Sequence, residues 1–240
     1  MIKFYTLDEV KKIACLPQNI NNELFQISLK YNTSKLYSPG AIHYLEHYWN
    51  NLKNIRNLKL KILEIGVKEG QSLLMWKEFF PFSEIYGIEI NPEPLKNFNH
   101  ENIKIFYGDQ SDEKFLKSIS DDVNFDVIID DGGHKMDQQK ISFSFLFRNS
   151  LNDGGIYILE DLGTSYWKNW GGGLLKSTST IEYLKSLIDG LNYRSYKGNR
   201  NTFLDIPEYK FLNASYYDEN IKCVKFYRNI CFIEKGCNIS

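Results

Sequence analysis

Six acidic side chains lie at or just beyond the ends of apolar segments that read as strands. They are Glu64, Glu89, Asp109, Asp131, Glu160 and Asp161. Carboxylates can accept hydrogen bonds from hydroxyl and amino groups, and several carboxylates together can bind a hard cation such as Mg²⁺. Because parallel strands place their carboxyl ends at one edge of a sheet, we expect these acids to surround one ligand site.

The first of these strands runs into a glycine turn that opens a helix. Lys61–Gly70 reads KILEIGVKEG, and Gly66 and Gly70 permit positive φ and close backbone approach. Glu89 follows about twenty residues later, where the acid that binds a ribose diol is expected. Dinucleotide and S-adenosylmethionine sites share both features. A pyrophosphate is disfavoured because Val67 and Lys68 follow Gly66 in place of the G-x-G-x-x-G pattern.

Asp109 has a functional and a structural interpretation, and the pair Asp130 and Asp131 ends the next strand. Asp109, in the segment YGDQS, could accept a hydrogen bond from an adenine amino group, or Asp109 or Ser111 could cap the next helix. Asp130 and Asp131 end the fourth strand and should face opposite ways, because side chains alternate along a strand. Asp131 could then meet Glu160 or Asp161 at the end of the fifth strand.

Two or three such carboxylates would suit Mg²⁺, and three acids without a cation would raise each other's pKa. Alternatively, the acids could cap helices or pair with Lys135 and Lys168. His134 follows in the turn GGH, where it could take a proton from a substrate hydroxyl or orient Asp131.

Strands and helices alternate along most of the chain. Predicted strands cover 60–65, 84–90, 103–107, 125–130, 155–160, 221–228 and 230–235, and predicted helices cover 71–79, 92–98, 111–119, 136–150 and 179–190. This pattern indicates an α/β fold with a mostly parallel sheet and helices on both faces. Residues 1–57 read as an N-terminal helical cap and 58–240 as the main domain. Residues 161–220 read as a substrate-facing insertion that begins with a long loop, whose Tyr166, Trp167 and Trp170 could stack on a substrate or pin the loop.

The composition of the chain limits the classes of partner that it is expected to bind. The 240 residues carry 29 Lys and Arg against 30 Asp and Glu, which argues against nucleic acid and against a polybasic membrane patch. No apolar run approaches a membrane span, and the four cysteines form no C-x-x-C pair. We therefore expect a cytoplasmic protein with free thiols and a small-molecule substrate, and the sequence leaves a homo-oligomer open.

Taken together, the motifs resemble class I S-adenosylmethionine-dependent methyltransferases, in particular the metal-dependent sugar O-methyltransferases of the macrocin and mycinamicin type. The matching segments are LEIGV at 63–67 with SLLMW at 72–76, IYGIEI at 85–90, GDQ at 108–110, DVIIDDGGH at 126–134, GGIYILED at 154–161 and TSYW at 164–167. The resemblance implies a Rossmann-like seven-stranded fold, S-adenosyl-L-methionine as cofactor, a Mg²⁺ ion and transfer of a methyl group to a sugar hydroxyl.

The predicted site follows from these segments. The cofactor-binding residues are Glu64, Gly66, Ser72, Glu89, Asp109, Gln110 and Asp130. The resemblance implies Asp131, Glu160 and Asp161 as metal ligands, and we predict His134 and Asp131 as the catalytic residues. The chain departs from its relatives at Ser34, which replaces an acid in a segment that closes over the cofactor, and at Lys225, which stands where relatives often carry a histidine base.

The acceptor is the least determined part. Richness in Lys, Asn, Ile, Phe and Tyr suggests an AT-rich genome, and the glycines at 171–173 could be encoded by a guanine tract of the kind that switches surface-polysaccharide genes. This favours a nucleotide-activated sugar for a capsule or similar glycan. The alternatives are a natural-product glycoside and a cephalosporin-hydroxylase-like reaction on the same fold. A binding module without catalysis and a nicotinamide-dependent oxidoreductase are disfavoured by the acid cluster and by the glycine pattern.

Overall fold

The structure is a computed structural model that describes residues 22–36, 42–193 and 214–238. Within these ranges the helices are α1 (Glu23–Tyr31), α2 (Ile42–Leu52), α3 (Gln71–Phe79), α4 (Glu113–Ser120), α5 (Met136–Asn149), α6 (Thr180–Leu191) and α7 (Tyr216–Asn220). The strands are β1 (Lys61–Ile65), β2 (Glu84–Glu89), β3 (Ile103–Tyr107), β4 (Phe125–Asp130), β5 (Leu151–Leu159), β6 (Ile221–Tyr227) and β7 (Ile230–Lys235). Cys15 and the predicted parts of the cap and insertion at 1–21, 37–41 and 194–213 lie outside the described residues.

The strands form one seven-stranded sheet in the order β3-β2-β1-β4-β5-β7-β6. The pairs among β1 to β5 are parallel, and β7 runs antiparallel to both β5 and β6. The predicted mostly parallel sheet is therefore confirmed. The carboxyl ends of β1, β2, β3, β4 and β5 meet at one edge, as the distribution of acids predicted.

Each face of the sheet packs against its own apolar core. Ile62 and Leu63 are adjacent on β1 and fully buried, yet they belong to different cores because strand side chains alternate. The first core contains Leu24, Phe25, Tyr44 and other side chains of α1 to α3, whereas the second is built from α4 to α6. The described part of the predicted cap thus shares a core with the sheet.

Some predicted elements differ from the structure, among them the fifth strand, which begins at Leu151 and not at 155. The expected helix at 92–98 is only a 3-10 turn, Glu93–Leu95, because Pro92 and Pro94 remove backbone donors and Pro94 restricts the residue before it. The loop after β5 contains two 3-10 turns, Leu162–Tyr166 and Lys168–Trp170. Cys223, Cys231 and Cys237 are free, and none of the described helices is long and apolar enough to cross a membrane.

Candidate active site

Gly66 brings the turn after β1 against the turn after β4. Its φ is +83°, and an added Cβ would lie 2.2 Å from the backbone oxygen of Asp131 and 2.7 Å from Cα of Gly132. Only glycine allows this approach, since an L side chain would be strained in conformation and would also overlap backbone atoms. The contact closes the floor of a cleft at the carboxyl edge of the sheet.

This cleft has a volume of about 220 Å³ and contains several predicted cofactor residues. It is lined by Ile65, Gly66, Lys68, Ile88, Glu89, Ile90, Gly108, Asp109, Gln110, Asp131, Gly132, Gly133 and Gln138. The Glu89 carboxylate is fixed on its wall, because it accepts hydrogen bonds from the backbone N–H groups of Lys68 and Asn91, both at 2.9 Å. The structure thus brings Gly66, Glu89, Asp109 and Gln110 together.

Asp109 lines the cleft and does not cap the following helix. Its Oδ1 accepts hydrogen bonds from the backbone N–H of Ser111 at 2.8 Å and from the Ser111 hydroxyl at 2.7 Å. The N-cap of α4 is Asp112, whose carboxylate accepts from the backbone of Lys114 and Phe115. The capping alternative is therefore wrong, and the contact of Asp109 with an adenine amino group stays a prediction.

Asp130 lies beneath the cleft and is fully buried. Its carboxylate accepts hydrogen bonds from Gln110 Nε2 at 3.0 Å, from the Ser142 hydroxyl at 2.5 Å and from the Tyr157 hydroxyl at 3.2 Å. Burial raises the pKa of Asp130. Gln110 also accepts from the backbone N–H of Gly133 at 2.7 Å. Asp130 is not among the residues that line the cleft, because its carboxylate supports the turn from below, and its assignment as a cofactor-binding residue stays a prediction.

Glu64, which is fully buried, and Ser72, which is partly buried, form a pair away from the lining of the cleft. The Ser72 hydroxyl donates to Glu64 Oε2 at 2.5 Å, and the Lys35 ammonium lies 3.4 Å from Glu64 Oε1. Burial raises the pKa of Glu64, although Lys35 opposes this rise. The cofactor role of Glu64 and Ser72 remains a prediction.

Asp131, His134 and Asp161 form a second group next to the cleft. One potential ligand atom from each lies within 4.8 Å of the others. His134 Nε2 is 3.4 Å from Asp161 Oδ2 and 3.8 Å from Asp131 Oδ1. Both His134 and Asp161 have positive φ, at 53° and 54°, and the Thr164 hydroxyl bonds the backbone oxygens of both residues. Two strained turns are thus held together at this point.

Glu160 has a different environment from the one we predicted. It is 1% exposed, and its Oε1 accepts hydrogen bonds from the Lys35 ammonium at 2.6 Å and from the Tyr48 hydroxyl. Burial and repulsion from Asp131 raise the pKa of Glu160 to about 8. In the structure Glu160 is therefore not part of the group that Asp131 and Asp161 form with His134, and its role as a metal ligand stays a prediction.

The group Asp131, His134 and Asp161 fits a divalent cation. Carboxylate oxygens suit Mg²⁺, and an imidazole nitrogen extends the choice to ions such as Mn²⁺. His134 Nδ1 is buried without a hydrogen-bond partner among the described residues. Asp131 and Asp161 are partly exposed, at 20% and 44% of their side chains, so an ion could reach them.

Comparison with known proteins gives relatives over most of the chain. No family model matches the chain. It is 34% identical to the mycinamicin VI 2''-O-methyltransferase of Micromonospora griseorubida over 90% of its length, and 32% identical to the demethylmacrocin O-methyltransferase of Streptomyces fradiae over 90%. Among solved structures, the MycE methyltransferase in complex with Mg, SAH and mycinamycin VI aligns with a TM-score of 0.77 at 32% identity, over 92% of this chain and 55% of the other.

The chain belongs to the class I methyltransferase family. Its homologues are sugar O-methyltransferases of the mycinamicin and macrocin type, which confirms the resemblance stated from the motifs. The seven-stranded Rossmann-like fold is confirmed as well. The chain spans about half the length of the curated relatives it matches, 53% and 54%.

Three residues that were not among the predicted site residues reach the site from the N-terminal region, although the segment that contains Lys35 was expected to close over the cofactor. Lys35 lies between Asp131 and Glu160, Tyr48 donates to Glu160, and the Tyr44 hydroxyl donates to Asp161 Oδ1 at 2.9 Å. Lys35 is thus the basic partner of these acids, in the position we had considered for Lys135 or Lys168. Tyrosines four residues apart on an apolar helix face were the available signal, since a buried hydroxyl needs a partner.

The remaining candidates are Lys225 and the aromatic side chains of the loop after β5. Lys225 donates to Glu234 at 2.5 Å, and this hydrogen bond raises the pKa of Lys225. The rings of His134 and Trp170 have centroids 6.2 Å apart, and Trp170 contacts Trp167. Tyr166 and Trp167 are about half exposed, so both remain available to a substrate.

Proposed function

We propose that this methyltransferase transfers a methyl group from S-adenosyl-L-methionine to a sugar hydroxyl, with a divalent cation at Asp131 and Asp161. The observation that carries the proposal is the position of Asp131. It lines the 220 Å³ cleft, while its carboxylate joins the group with His134 and Asp161. A methyl donor in the cleft and a hydroxyl at the acid group would therefore be neighbours.

The cleft supplies what cofactor binding needs. Glu89 offers a carboxylate whose orientation is fixed by two backbone N–H groups, which suits a ribose diol. Asp109 lies on the same wall with its Oδ1 already bonded to Ser111. S-adenosylmethionine bound here would supply an electrophilic methyl group. The chain contributes position, since methyl transfer is an in-line displacement in which alignment provides much of the acceleration.

The acid group supplies what the acceptor needs. A bound divalent cation would lower the pKa of a hydroxyl and orient it. With the cation held by the two carboxylates and not by His134, Nε2 of His134 lies 3.8 Å from Asp131 Oδ1 and 3.4 Å from Asp161 Oδ2, where it can take the hydroxyl proton. His134 could instead orient Asp161 through the same contact. The variant His134→Gln distinguishes the two roles: lower turnover with unchanged cation affinity indicates a base, whereas a loss of both indicates that His134 orients Asp161.

For the acceptor, we propose the sugar of a glycoside in preference to a nucleotide-activated sugar. Two relatives are named for the methylation of mycinamicin VI and of demethylmacrocin, and MycE was solved with mycinamycin VI. The comparisons do not support the capsule role that we inferred from composition. The exposed rings of Tyr166 and Trp167, of which Trp167 contacts Trp170, would offer an apolar surface that suits a sugar ring or an apolar aglycone.

Acceptor choice is assigned in this proposal to the cap at 1–57 and to the insertion at 161–220. We also propose a cytoplasmic location, because Cys223, Cys231 and Cys237 are free thiols. A homo-oligomer stays open.

The test uses methyl-labelled S-adenosylmethionine with Mg²⁺ or with chelator, and two acceptor panels, apolar glycosides and nucleotide sugars. We expect label on a glycoside sugar oxygen, lost with chelator, and micromolar binding of S-adenosylhomocysteine but not of NAD. Label on nucleotide sugars would restore the capsule interpretation. An oxidised, unlabelled product would favour the hydroxylase-like alternative, and binding of NAD alone would contradict the proposed cofactor.

A further inference from the structure

Lys35 is a buried cation at the centre of the acids. Its side chain is 1% exposed, and its ammonium lies 2.6 Å from Glu160 Oε1, 2.8 Å from Asp131 Oδ2 and 3.4 Å from Glu64 Oε1. The three acids come from the ends of β5, β4 and β1. One side chain from the N-terminal region thus joins three strands of the sheet.

The charges in this cluster are unequal. One ammonium faces three carboxyl groups that are all largely buried, and burying charge without a partner is costly. Burial alone would lower the pKa of Lys35, but Asp131, Glu160 and Glu64 raise it well above its usual value. Lys35 is therefore the positive charge that allows these acids to lie together.

A divalent cation at this site would need carboxylates that already bind Lys35. The family resemblance implies Asp131 and Glu160 as metal ligands, yet one oxygen of each is bonded to the same ammonium. Two cations this close repel, and the repulsion is strong where water is excluded. Resting on the proposed cation site at Asp131 and Asp161, and on Glu160 joining it as the resemblance implies, we propose that Lys35 competes with the divalent cation for Asp131 and Glu160, so that cation binding displaces the ammonium.

The displacement has a structural consequence. Lys35 belongs to the 3-10 turn Ser34–Leu36, which follows Asn32 in the left-handed region. The turn is held by backbone hydrogen bonds from Leu36 to Thr33 at 3.1 Å and from Thr33 to Ser28 at 3.3 Å. When the ammonium leaves its acids, this turn loses its ionic links to the sheet and should open. Binding of the cation would thereby be coupled to opening of the turn Ser34–Leu36.

The experiment compares cation binding to the wild-type protein, Lys35→Met and Lys35→Gln, by calorimetry with MgCl₂ and MnCl₂ and by the melting temperature with and without each salt. Lys30→Met is the matched control, because Lys30 is 60% exposed and pairs with Glu78 on α3. We expect both Lys35 variants to bind the ion about tenfold more tightly or better, because a repelling charge is gone. Without the ion, the Lys35 variants should have a lower melting temperature than wild type, and the ion should raise their melting temperature by more. Lys30→Met should bind the ion as wild type does.

A second measurement does not depend on the variants folding. Hydrogen exchange of the wild-type protein, without cofactor, should become faster in peptides covering 29–36 when MgCl₂ is added. Weaker or unchanged binding in the Lys35 variants, or slower exchange at 29–36, would overturn the competition while leaving the cation site intact. Absence of cation binding by wild type and variants alike would overturn both the competition and the proposed site.

Discussion

The cleft at the ends of β1 to β3 and the acid group at the ends of β4 and β5 are constructed differently. The cleft is shaped by backbone: Gly66 allows two turns to touch, and Glu89 is held by N–H groups two and 21 residues away. The acids depend on side chains from remote segments, since Lys35 is 96 residues from Asp131 and 125 from Glu160. Damage to the cleft should therefore impair both folding and cofactor binding, whereas damage to the acid group should leave the cofactor in place.

The largest separation is expected for Asp161→Asn. Asparagine tolerates the left-handed conformation of residue 161, so the fold should persist, but one anionic ligand is lost. Cation-dependent turnover should fall about 100-fold or more. Calorimetry should show S-adenosylhomocysteine binding within about twofold of wild type, near the level of additivity errors. Loss of this binding would mean that the two regions are not independent.

Gly66→Ala tests the other side of the comparison. The new Cβ would overlap the backbone of Asp131, and its φ would be unfavourable, so we expect a loss of about 3 kcal/mol or more in the free energy of unfolding, with no measurable cofactor binding. Gly154→Ala is the control, since φ is +81° but no atom lies within 4 Å of the added Cβ. Denaturant unfolding of Gly154→Ala should show a loss of only about 1 kcal/mol in the free energy of unfolding. Equal losses would mean that conformation, and not close approach, requires Gly66.

Glu89→Gln should produce a smaller change confined to the cleft. One of the two bonds from Lys68 and Asn91 would be replaced by two facing N–H donors, and the charge toward a ribose diol would be lost. We expect S-adenosylhomocysteine to bind about tenfold more weakly, as for one charge-assisted hydrogen bond, with unchanged cation affinity. Glu93→Gln, whose side chain is 76% exposed, should bind normally. Weaker binding of the cation to Glu89→Gln would show that Glu89 belongs to the acid group instead.

The smallest effect is expected at Lys225. Its hydrogen bond to Glu234 holds the proton on the ammonium, so Lys225 is poorly suited to act as a base. Lys225→Ala should change turnover by no more than about threefold, the size of effect typical of a partly exposed ion pair. A fall of several orders of magnitude in single-turnover rate, with the fold intact, would assign the proton transfer to Lys225 and not to His134.

Local pattern was sufficient for most of the fold. The strands at 103–107 and 125–130 and the helix at 71–79 have the predicted bounds, because apolar runs and periodicity act over a few residues. The prediction for 92–98 was wrong where two prolines outweighed helical spacing. Strand ends and glycines also located the cleft residues Gly66, Glu89 and Asp109 correctly, since sheet topology converts positions along the chain into one edge.

The sequence by itself determined which side chains reach the carboxyl edge of the sheet and that a methyl-donor fold would hold them. Only the tertiary structure decided how those side chains share charge. In the fold, Gln110 and Ser142 donate hydrogen bonds to the buried carboxylate of Asp130, and Lys35 and Tyr48 donate to Glu160. The reason is that a strand end fixes a position from local sequence, whereas the partner of a buried carboxylate is whichever donor the packing of distant helices brings within reach.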